Sequence, residues 1–324
     1  MCTAVSWKAS DCYFGRNLDF EYSYEEQVVI TPRKYEFVFR NGEKTGTHYA
    51  MIGTAYVVDN YPLYYDAVNE AGLGMAGLYF AGNAMYYPME KGKDNIAPFE
   101  LIPWILGQCK DVREATDLLK RINLWKEPFN EKLSLTPLHW FISDGYHSIV
   151  LESTGEGIQI YNNPVGVLTN NPTFPIQMKN LEKYENISPM EPEETVKEEN
   201  KVSYHTRGKG TLGLPGDLTS MGRFVRASFV RNHALSGETE TENVTRFFHI
   251  LGSVEQQLGC VILEKEQYER TIYSSCCNAS KGIYYYKTYD NQRILGVDMK
   301  KENIDGKKII AYPFITDRQI EMIY

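Results

Sequence analysis

The chain has 324 residues, about twice the ~150 residues of an average domain, so one large domain or two ordinary ones would fit. Apolar residues make up 43% and charged residues 23%, which is typical of a globular protein and excludes a disordered chain. A formal net charge of −8 argues against an electrostatic nucleic-acid binder and against a surface that seeks anionic lipid.

The chain also lacks the usual signals for export or membrane insertion. No stretch approaches the ~18 consecutive apolar residues of a membrane-spanning helix, and the N-terminal stretch has no basic segment followed by an apolar core. These two observations predict a cytoplasmic protein. The 6 cysteines are too sparse for a disulfide framework, and a reducing compartment would keep them as thiols.

The first part of the chain is typical of short strands joined by turns, followed by two helices. The β-prone runs cover residues 4–7, 12–14, 27–31 and a stretch that begins at Tyr49. Helical periodicity appears over residues 98–109. Asp111 is a candidate N-cap for a second helix that runs through VREATDLLKRI, where apolar residues recur three and four apart.

The second part returns to strands and then alternates between blocks of helix and strand. Its predicted elements are strands at 139–144, 148–153, 158–162 and 282–291, and helices at 223–232 and 242–251. The polar segment 185–210 is interpreted as a solvated loop or as a hairpin that packs on another subunit. Because strands and helices come in blocks, the sequence predicts a single α+β domain over residues 1–324, not a doubly wound parallel sheet.

Several common catalytic patterns are missing from the sequence. The six histidines form no HExxH motif, and the adjacent Cys276 and Cys277 would point to opposite faces of a strand, so a zinc site is not expected. Residues 208–217 are glycine-rich but lack the residue order of a phosphate-binding loop. No GxSxG elbow of a serine hydrolase is present.

The N-terminus offers a different catalytic group, because Cys2 follows the initiator Met1. A side chain as small as that of Cys2 allows Met1 to be removed after synthesis, which would leave a residue that carries both a thiol and a free α-amine. A cysteine thiol has an ordinary pKa of ~8.5, so only a few per cent is thiolate at neutral pH. The α-amine of the same residue can accept the thiol proton, directly or through water.

Two charged residues follow soon after Cys2. Arg16 and Asp19 occur in FGRNLDF after a β-prone run, where a turn and the period-2 geometry of a strand can bring them back beside the first strand. A buried carboxylate can hold the α-amine, and a nearby guanidinium favours the thiolate. Many proteins carry a small second residue by chance, so the position of Cys2 alone does not assign it a role. The neighbouring charges favour a cysteine nucleophile with its base on the same residue.

At these residues the sequence resembles a known family. The segments MCTAV, YFGRNLDFEYSY and VITPR are similar to the start of the choloylglycine hydrolase family, which contains bile salt hydrolases and penicillin V acylases. Further family-like segments follow in family order: YYDAVNEAGLGMAGLYF, GVLTNNPTF, GLPGDLTSMGRFVR and GIYYYKTYDN. The resemblance implies an N-terminal-nucleophile hydrolase with a four-layer αββα sandwich and no metal or organic cofactor. It also implies a homotetramer, because members of the family are commonly tetrameric.

The resemblance also implies roles for individual residues. Cys2 matches the family nucleophile, Arg16 the arginine beside the thiol, and Asp19 the carboxylate that orients the α-amine. Asn170 matches the residue whose side-chain amide donates to the oxyanion. Arg223 matches the second arginine of the site, with the alternative that it only pairs with a carboxylate of the scaffold.

Tyr79 is the position at which the chain departs from bile salt hydrolases. The second oxyanion donor of the family is a backbone N–H, here that of Tyr79; bile salt hydrolases usually carry Asn at this position and penicillin V acylases Tyr. The surrounding DNYPLYYDAVNEAGLGMAGL is more similar to bile salt hydrolases of intestinal Gram-positive bacteria. The resemblance therefore implies hydrolysis of glycine- or taurine-conjugated bile salts, with penicillin V as the alternative substrate. A binding protein without activity would predict substitution of these site residues, and none is substituted.

Overall fold

The structure is a computed structural model that describes residues 1–193, 206–264 and 266–324. Its strands are, in chain order, β1 (Cys2–Lys8), β2 (Cys12–Phe20), β3 (Gln27–Thr31), β4 (Phe37–Val38), β5 (Lys44–Thr45), β6 (Met51–Val58), β7 (Tyr61–Asn69), β8 (Gly74–Tyr79), β9 (Asp94–Ile96), β10 (Ile122–Leu124), β11 (Leu138–Ser143), β12 (Ser148–Thr154), β13 (Gly157–Asn162), β14 (Val167–Leu168), β15 (Val261–Ile262), β16 (Tyr268–Asn278), β17 (Ile283–Thr288), β18 (Leu295–Asp298) and β19 (Ile310–Pro313). The helices are α1 (Leu101–Gln108), α2 (Val112–Leu119), α3 (Phe174–Leu181), α4 (Ser220–His233) and α5 (Glu240–Gly252).

Two large antiparallel sheets form the centre of the molecule. Sheet A has the order β14-β1-β2-β16-β17-β18, with β15 paired to β16. Sheet B has the order β13-β12-β11-β8-β7-β6-β3-β19. The sheets pack face to face, as shown by Phe14 of sheet A, which stacks on Phe141 of sheet B with ring centroids 5.5 Å apart. Gly74 permits this close approach, because a Cβ there would lie 2.6 Å from the Phe14 ring.

Helices cover the outer faces of both sheets. Phe224 of α4 and Phe247 of α5 are buried in the core that includes the strands of sheet A. On sheet B, Ile102 and Ile105 of α1 pack in a second core with Met75 of β8. Burial of these apolar faces on both sides of the sheet pair gives the four-layer αββα sandwich, and the predicted α+β class is confirmed.

Local signals placed most predicted elements correctly. The side chain of Asp111 accepts a hydrogen bond from the Glu114 N–H at 2.8 Å and caps α2 as predicted. The predicted extension of this helix through Ile122 is wrong, because α2 ends at Leu119 and Ile122 begins β10. The helix expected over residues 98–109 begins only at Leu101, after a 3₁₀ turn.

Three differences from the predicted pattern affect the site or its frame. Arg16 and Asp19 lie within β2, which runs to Phe20, and not in a segment after a strand that ends at residue 14. The prediction also omits α3 and the 11-residue strand β16. Polar residues interrupt the apolar alternation of β2 and β16, and each of these strands is buried on both faces by the other layers of the sandwich.

The polar segment 185–210 falls partly outside the described residues, since 194–205 are not among them. Its two described ends lie side by side, with the Ser188 N–H donating to the Gly210 carbonyl at 2.9 Å. Most of their residues are exposed, as a solvated loop requires. Packing of this segment on another subunit stays a prediction.

Candidate active site

The register of the β1–β2 hairpin separates the charged side chains of the site. Cys2 pairs with Leu18 and Ala4 with Arg16, so the side chains of Cys2 and Arg16 share the inner face of sheet A, which faces sheet B. Asp19 is displaced by one residue from Leu18 and therefore points to the outer face, toward the helices. The thiol and the carboxylate thus approach the end of β1 from opposite sides.

Cys2 is 4% exposed, and its main chain is held at both polar groups. Its nitrogen donates to Asn170 Oδ1 at 2.8 Å, and its carbonyl accepts from Arg223 Nη1 at 2.6 Å. Met1 extends the strand pairing by one residue, because its carbonyl accepts from the Asp19 N–H at 2.8 Å. Removal of Met1 would therefore leave the Cys2 nitrogen beside Asn170.

Arg16 is fully buried between the two sheets. Its Nη1 donates to two carbonyls of sheet B, those of Tyr65 at 2.9 Å and Gly77 at 2.6 Å. Its Nη2 has no hydrogen-bond partner in the part of the chain that the structure describes. Burial acts to lower the pKa of Arg16, but the negative fields of Cys2, Tyr273 and Asp66 raise it above its ordinary value. The guanidinium is therefore a permanent positive charge with one donor group to spare.

Asp19 is the buried carboxylate on the outer face. Its Oδ1 accepts from the Thr271 hydroxyl at 2.6 Å, its Oδ2 lies 3.9 Å from Arg223 Nη1, and Oδ2 accepts no hydrogen bond within the described residues. Burial raises the pKa of Asp19 above its ordinary range, and the positive charge of Arg223 opposes this shift. A carboxylate with an unused oxygen at this position can accept a hydrogen bond from a cationic amine.

Asn170 follows β14, the strand that pairs with β1 in the register Ala4–Leu168, so continuation of the register sets Asn170 opposite Cys2. Asn170 Oδ1 accepts from the Cys2 nitrogen, and its Nδ2 donates to the Tyr79 carbonyl at 2.7 Å. These partners fix the orientation of the amide, because exchange of its oxygen and nitrogen would set donor against donor. Nδ2 retains a second hydrogen.

Arg223 projects from the first turn of α4, which begins after the N-cap Thr219. Besides the Cys2 carbonyl, it donates to Thr3 Oγ1 at 2.6 Å and to Asn170 Oδ1 at 2.8 Å, and its Nε donates to the Leu218 carbonyl at 3.1 Å. Burial lowers the pKa of Arg223 from its ordinary value, and the charge of Asp19 opposes this shift. The side chain therefore ties β1, Asn170 and α4 together.

The structure thus brings five of the predicted side chains to one end of sheet A, with the backbone of the sixth residue, Tyr79, at the same place. The Tyr79 carbonyl contacts Asn170, while its side chain is 44% exposed. In a strand, the N–H and the carbonyl of one residue point to the same edge. The Tyr79 N–H is therefore on the edge of β8 that faces Asn170.

Two buried carboxylates around this group, Asp66 and Glu269, were not predicted from the sequence. Asp66 of β7 accepts from the hydroxyls of Tyr273 at 2.7 Å and Tyr284 at 2.6 Å, and the positive charge of Arg16 acts on it. Glu269 of β16 binds the ammonium of Met1 at 2.5 Å. A charged residue within an otherwise apolar strand, such as the Asp of LYYDAV, was the only available signal for Asp66.

Other candidate sites are not formed by the residues that the structure describes. No group of three or more His, Cys, Asp or Glu side chains within them is arranged to hold a metal ion. Cys276 and Cys277 are buried on β16, and burial raises the pKa of both thiols well above the ordinary range. In the described chain, no helix is both long and apolar enough to span a bilayer.

The chain is similar to several known proteins over nearly its whole length. It is 52% identical over 319 residues to a bile salt hydrolase/transferase of Lactiplantibacillus plantarum, a match that covers 98% of both chains. The conjugated bile acid hydrolase of Clostridium perfringens superimposes with a TM-score of 0.93 at 35% identity, over 100% of both chains. A penicillin V acylase of Agrobacterium tumefaciens shares the fold, with a TM-score of 0.76 at 20% identity over 96% of this chain and 90% of its own.

The family assignment rests on a match that covers most of the chain. Residues 2–312 match the family described as linear amide C–N hydrolases, choloylglycine hydrolase family, which confirms the resemblance stated from the sequence. The match begins at Cys2 and extends beyond Arg223, so it includes every residue brought together at the end of sheet A. The chain therefore belongs to the choloylglycine hydrolase family and is a hydrolase of linear amides.

Proposed function

We propose that this enzyme hydrolyses the amide bond of glycine- or taurine-conjugated bile salts with Cys2 as its nucleophile. The observation that carries the substrate class is the 52% identity to a bile salt hydrolase/transferase across 98% of both chains. The chemistry is carried by the contacts of Cys2, whose nitrogen and carbonyl are both held by polar side chains at the end of a buried strand.

The reaction begins once Met1 has been removed and Cys2 carries a free α-amine. The thiol proton passes to this amine, and the sulfur forms a bond to the amide carbonyl carbon. When the tetrahedral intermediate collapses, the carbon–nitrogen bond breaks and the leaving glycine or taurine takes the proton from the α-ammonium. Water then attacks the thioester with the α-amine as base, which releases the bile acid and restores the thiol.

The charges around Cys2 support each of these steps. Arg16 shares the inner face with the thiol, and its unused Nη2 can donate to the thiolate or to the substrate. Asp19 can accept from the α-ammonium through its unused Oδ2. Asn170 orients the nitrogen of Cys2 through its Oδ1.

Two donors are available for the oxyanion. Asn170 Nδ2 retains one hydrogen after its bond to the Tyr79 carbonyl, and the Tyr79 N–H points to the same edge of β8. A well-placed donor of this kind contributes about 3 kcal/mol to the stability of the transition state. Because the Tyr79 donor is main chain, the Tyr side chain leaves this function intact.

An aromatic cluster that follows Asp19 along the chain offers a surface for the apolar part of the substrate. Immediately after Asp19, the rings of Phe20, Tyr22, Tyr24 and Tyr56 form a continuous cluster with neighbouring centroids 4.9 to 6.0 Å apart. Tyr22 is 53% exposed, so the cluster borders solvent. An exposed aromatic surface that follows the strand paired with Cys2 provides a wall against which a steroid can bury apolar area.

Product analysis tests this proposal. The purified enzyme is incubated with glycocholate and taurocholate, and release of cholate, glycine and taurine is measured by mass spectrometry. Cys2→Ala should retain less than about a hundredth of the wild-type rate with an unchanged fold, because it removes the nucleophile and only a small side chain. Cys260→Ala, at an exposed free cysteine, serves as the matched control and should keep full activity. Substantial turnover by Cys2→Ala would overturn the assignment.

Penicillin V is the second candidate substrate for two reasons. Penicillin V acylases also carry Tyr at the position of Tyr79, and the exposed ring of Tyr79 offers a flat surface for a phenoxy group. We expect wild type to prefer conjugated bile salts and to show some penicillin V activity. Tyr79→Asn should retain catalysis and shift the ratio of kcat/KM values toward bile salts by about three- to tenfold, the value of one aromatic contact. A wild-type preference of tenfold or more for penicillin V would favour the acylase.

A further inference from the structure

Glu269 is a buried carboxylate that lies beside the N-terminal residue Met1, and the proposed mechanism does not use it. It lies on β16, next to the β16–β2 pairing that positions Asp19, and is 5% exposed. Its Oε1 lies 2.5 Å from the ammonium of Met1, which also donates to the Asp19 carbonyl at 2.6 Å. Burial of a carboxylate is costly unless it faces a positive charge, and Met1 supplies that charge only while it remains on the chain.

We infer that Glu269 is a positioning residue for the catalytic amine, which it binds electrostatically once Met1 has been removed. This inference rests on the proposed function of the Cys2 α-amine. Successive nitrogens of an extended strand are about 3.5 Å apart. Since Glu269 Oε1 lies 2.5 Å from the Met1 nitrogen, it can be no more than about 6 Å from the nitrogen of Cys2. A charge within this distance changes the proton affinity of an amine.

The groups around the amine nearly balance in charge. The negative groups are Asp19 from β2 and Glu269 from β16, together with the Cys2 thiolate during catalysis. The positive groups are Arg223 from α4, which lies 3.9 Å from Asp19, and Arg16 on the inner face of β2. Burial raises the pKa of both carboxyl groups above their ordinary values, and the positive charge of Arg223 opposes the shift for each.

Loss of the Glu269 charge would leave the two guanidinium groups in excess. The α-ammonium would then lose its proton more easily, and the thiol of the same residue would ionise at lower pH. Both limbs of the pH profile should therefore move in the same direction, toward acid. A purely structural role for Glu269 would lower stability without moving the profile.

The test compares Glu269→Gln, Glu269→Asp and the exposed control Glu264→Gln. Each chain is released from a cleavable tag so that Cys2 is the first residue, which removes any difference in Met1 processing. Two profiles are measured between about pH 4 and about pH 9: kcat/KM for glycocholate and the rate of Cys2 alkylation by iodoacetamide, followed by mass spectrometry. Alkylation needs no substrate, so it reports on Glu269 even if bile salts prove not to be the substrate.

We expect both profiles of Glu269→Gln to shift toward acid by about one pH unit, the scale of a charge at this distance. Glu269→Asp keeps the charge and should shift less, while Glu264→Gln should superimpose on wild type. Unshifted profiles in a folded Glu269→Gln chain would overturn the inference. If that variant does not fold, Glu269→Asp decides, because its shorter side chain moves the carboxylate away from the amine: an alkylation midpoint shifted toward acid supports the inference, and one identical to wild type overturns it.

Discussion

The two halves of the sandwich, sheet A with its helices and sheet B with its helices, bury charged groups in different ways. At the end of sheet A, Arg16 and Asp19 are fully buried, and each keeps a polar atom without a hydrogen-bond partner among the described residues. In the layer over sheet B, the turn before α1 buries one carboxylate, Glu100. Its Oε1 accepts from the Arg40 N–H at 2.7 Å and its Oε2 from the Ala97 N–H at 3.1 Å.

This difference distinguishes buried charged groups with a catalytic role from those with a structural role. A buried carboxylate whose two oxygens accept main-chain N–H groups has a structural task, since it joins segments of chain that would otherwise leave donors unpaired. Buried groups with unused atoms cost free energy and are kept where a substrate or a catalytic group completes them. We therefore expect substitutions at sheet A to change activity more than stability, and substitution of Glu100 to do the reverse.

Asp19→Asn should have the largest effect. Turnover should fall by about a hundredfold or more, because a neutral amide no longer holds the α-ammonium that forms during attack. Burial raises the pKa of Asp19 in the folded state, so its contribution to stability is present below the unfolded pKa and is lost as pH rises through the folded pKa. Asparagine resembles the protonated form and should not lower stability at neutral pH. Kinetics and urea unfolding on the same samples test both statements, and turnover within tenfold of wild type would contradict the first.

The two buried arginines permit a matched comparison, with an expected loss of activity smaller than that of Asp19→Asn. Arg16→Lys should lower kcat/KM by about ten- to a hundredfold with a modest change in stability, since an ammonium can still donate to the Tyr65 and Gly77 carbonyls but lacks the planar donor fork. Arg223→Lys should also destabilise the protein, because lysine cannot serve all the acceptors that Arg223 binds, and each one left unpaired costs about 1–3 kcal/mol. Equal loss of stability in both variants, measured by urea unfolding, would remove the distinction between them.

Glu100→Gln should leave kcat/KM unchanged and alter only the pH dependence of stability. Burial raises the pKa of Glu100 to about 7, so its contribution is complete below the unfolded pKa near 4.5 and is lost as pH rises through 7. The loss amounts to about 3 kcal/mol at ~1.4 kcal/mol per unit. Glutamine cannot ionise, so the free energy of unfolding of wild type should fall by about this amount relative to that of the variant between about pH 5 and about pH 8. A constant difference would show that Glu100 titrates normally.

Local sequence determined the elements whose signals lie within a few residues. Asp111 caps α2 because an aspartate before an amphipathic run satisfies free N–H groups of the first turn, whatever the rest of the chain does. The run QVVIT forms β3 over the predicted residues 27–31. Cys2 was predicted as the nucleophile from its position together with the charged residues after it and the family segments, and the same segments indicated the αββα fold, which the structure and its relatives confirm.

Only the tertiary structure decided which polar groups surround Cys2 and which of them are saturated. Glu269 binds Met1 across 268 positions of sequence, and Asp66 faces Arg16 from the opposite sheet. No periodicity or spacing encodes such contacts, because they depend on which strands pair and which sheet faces face each other. The same holds for the unused Nη2 of Arg16. The acceptors of this side chain come from β7 and β8, so the sequence around Arg16 predicts a positive charge but cannot predict which of its donors stays without a partner.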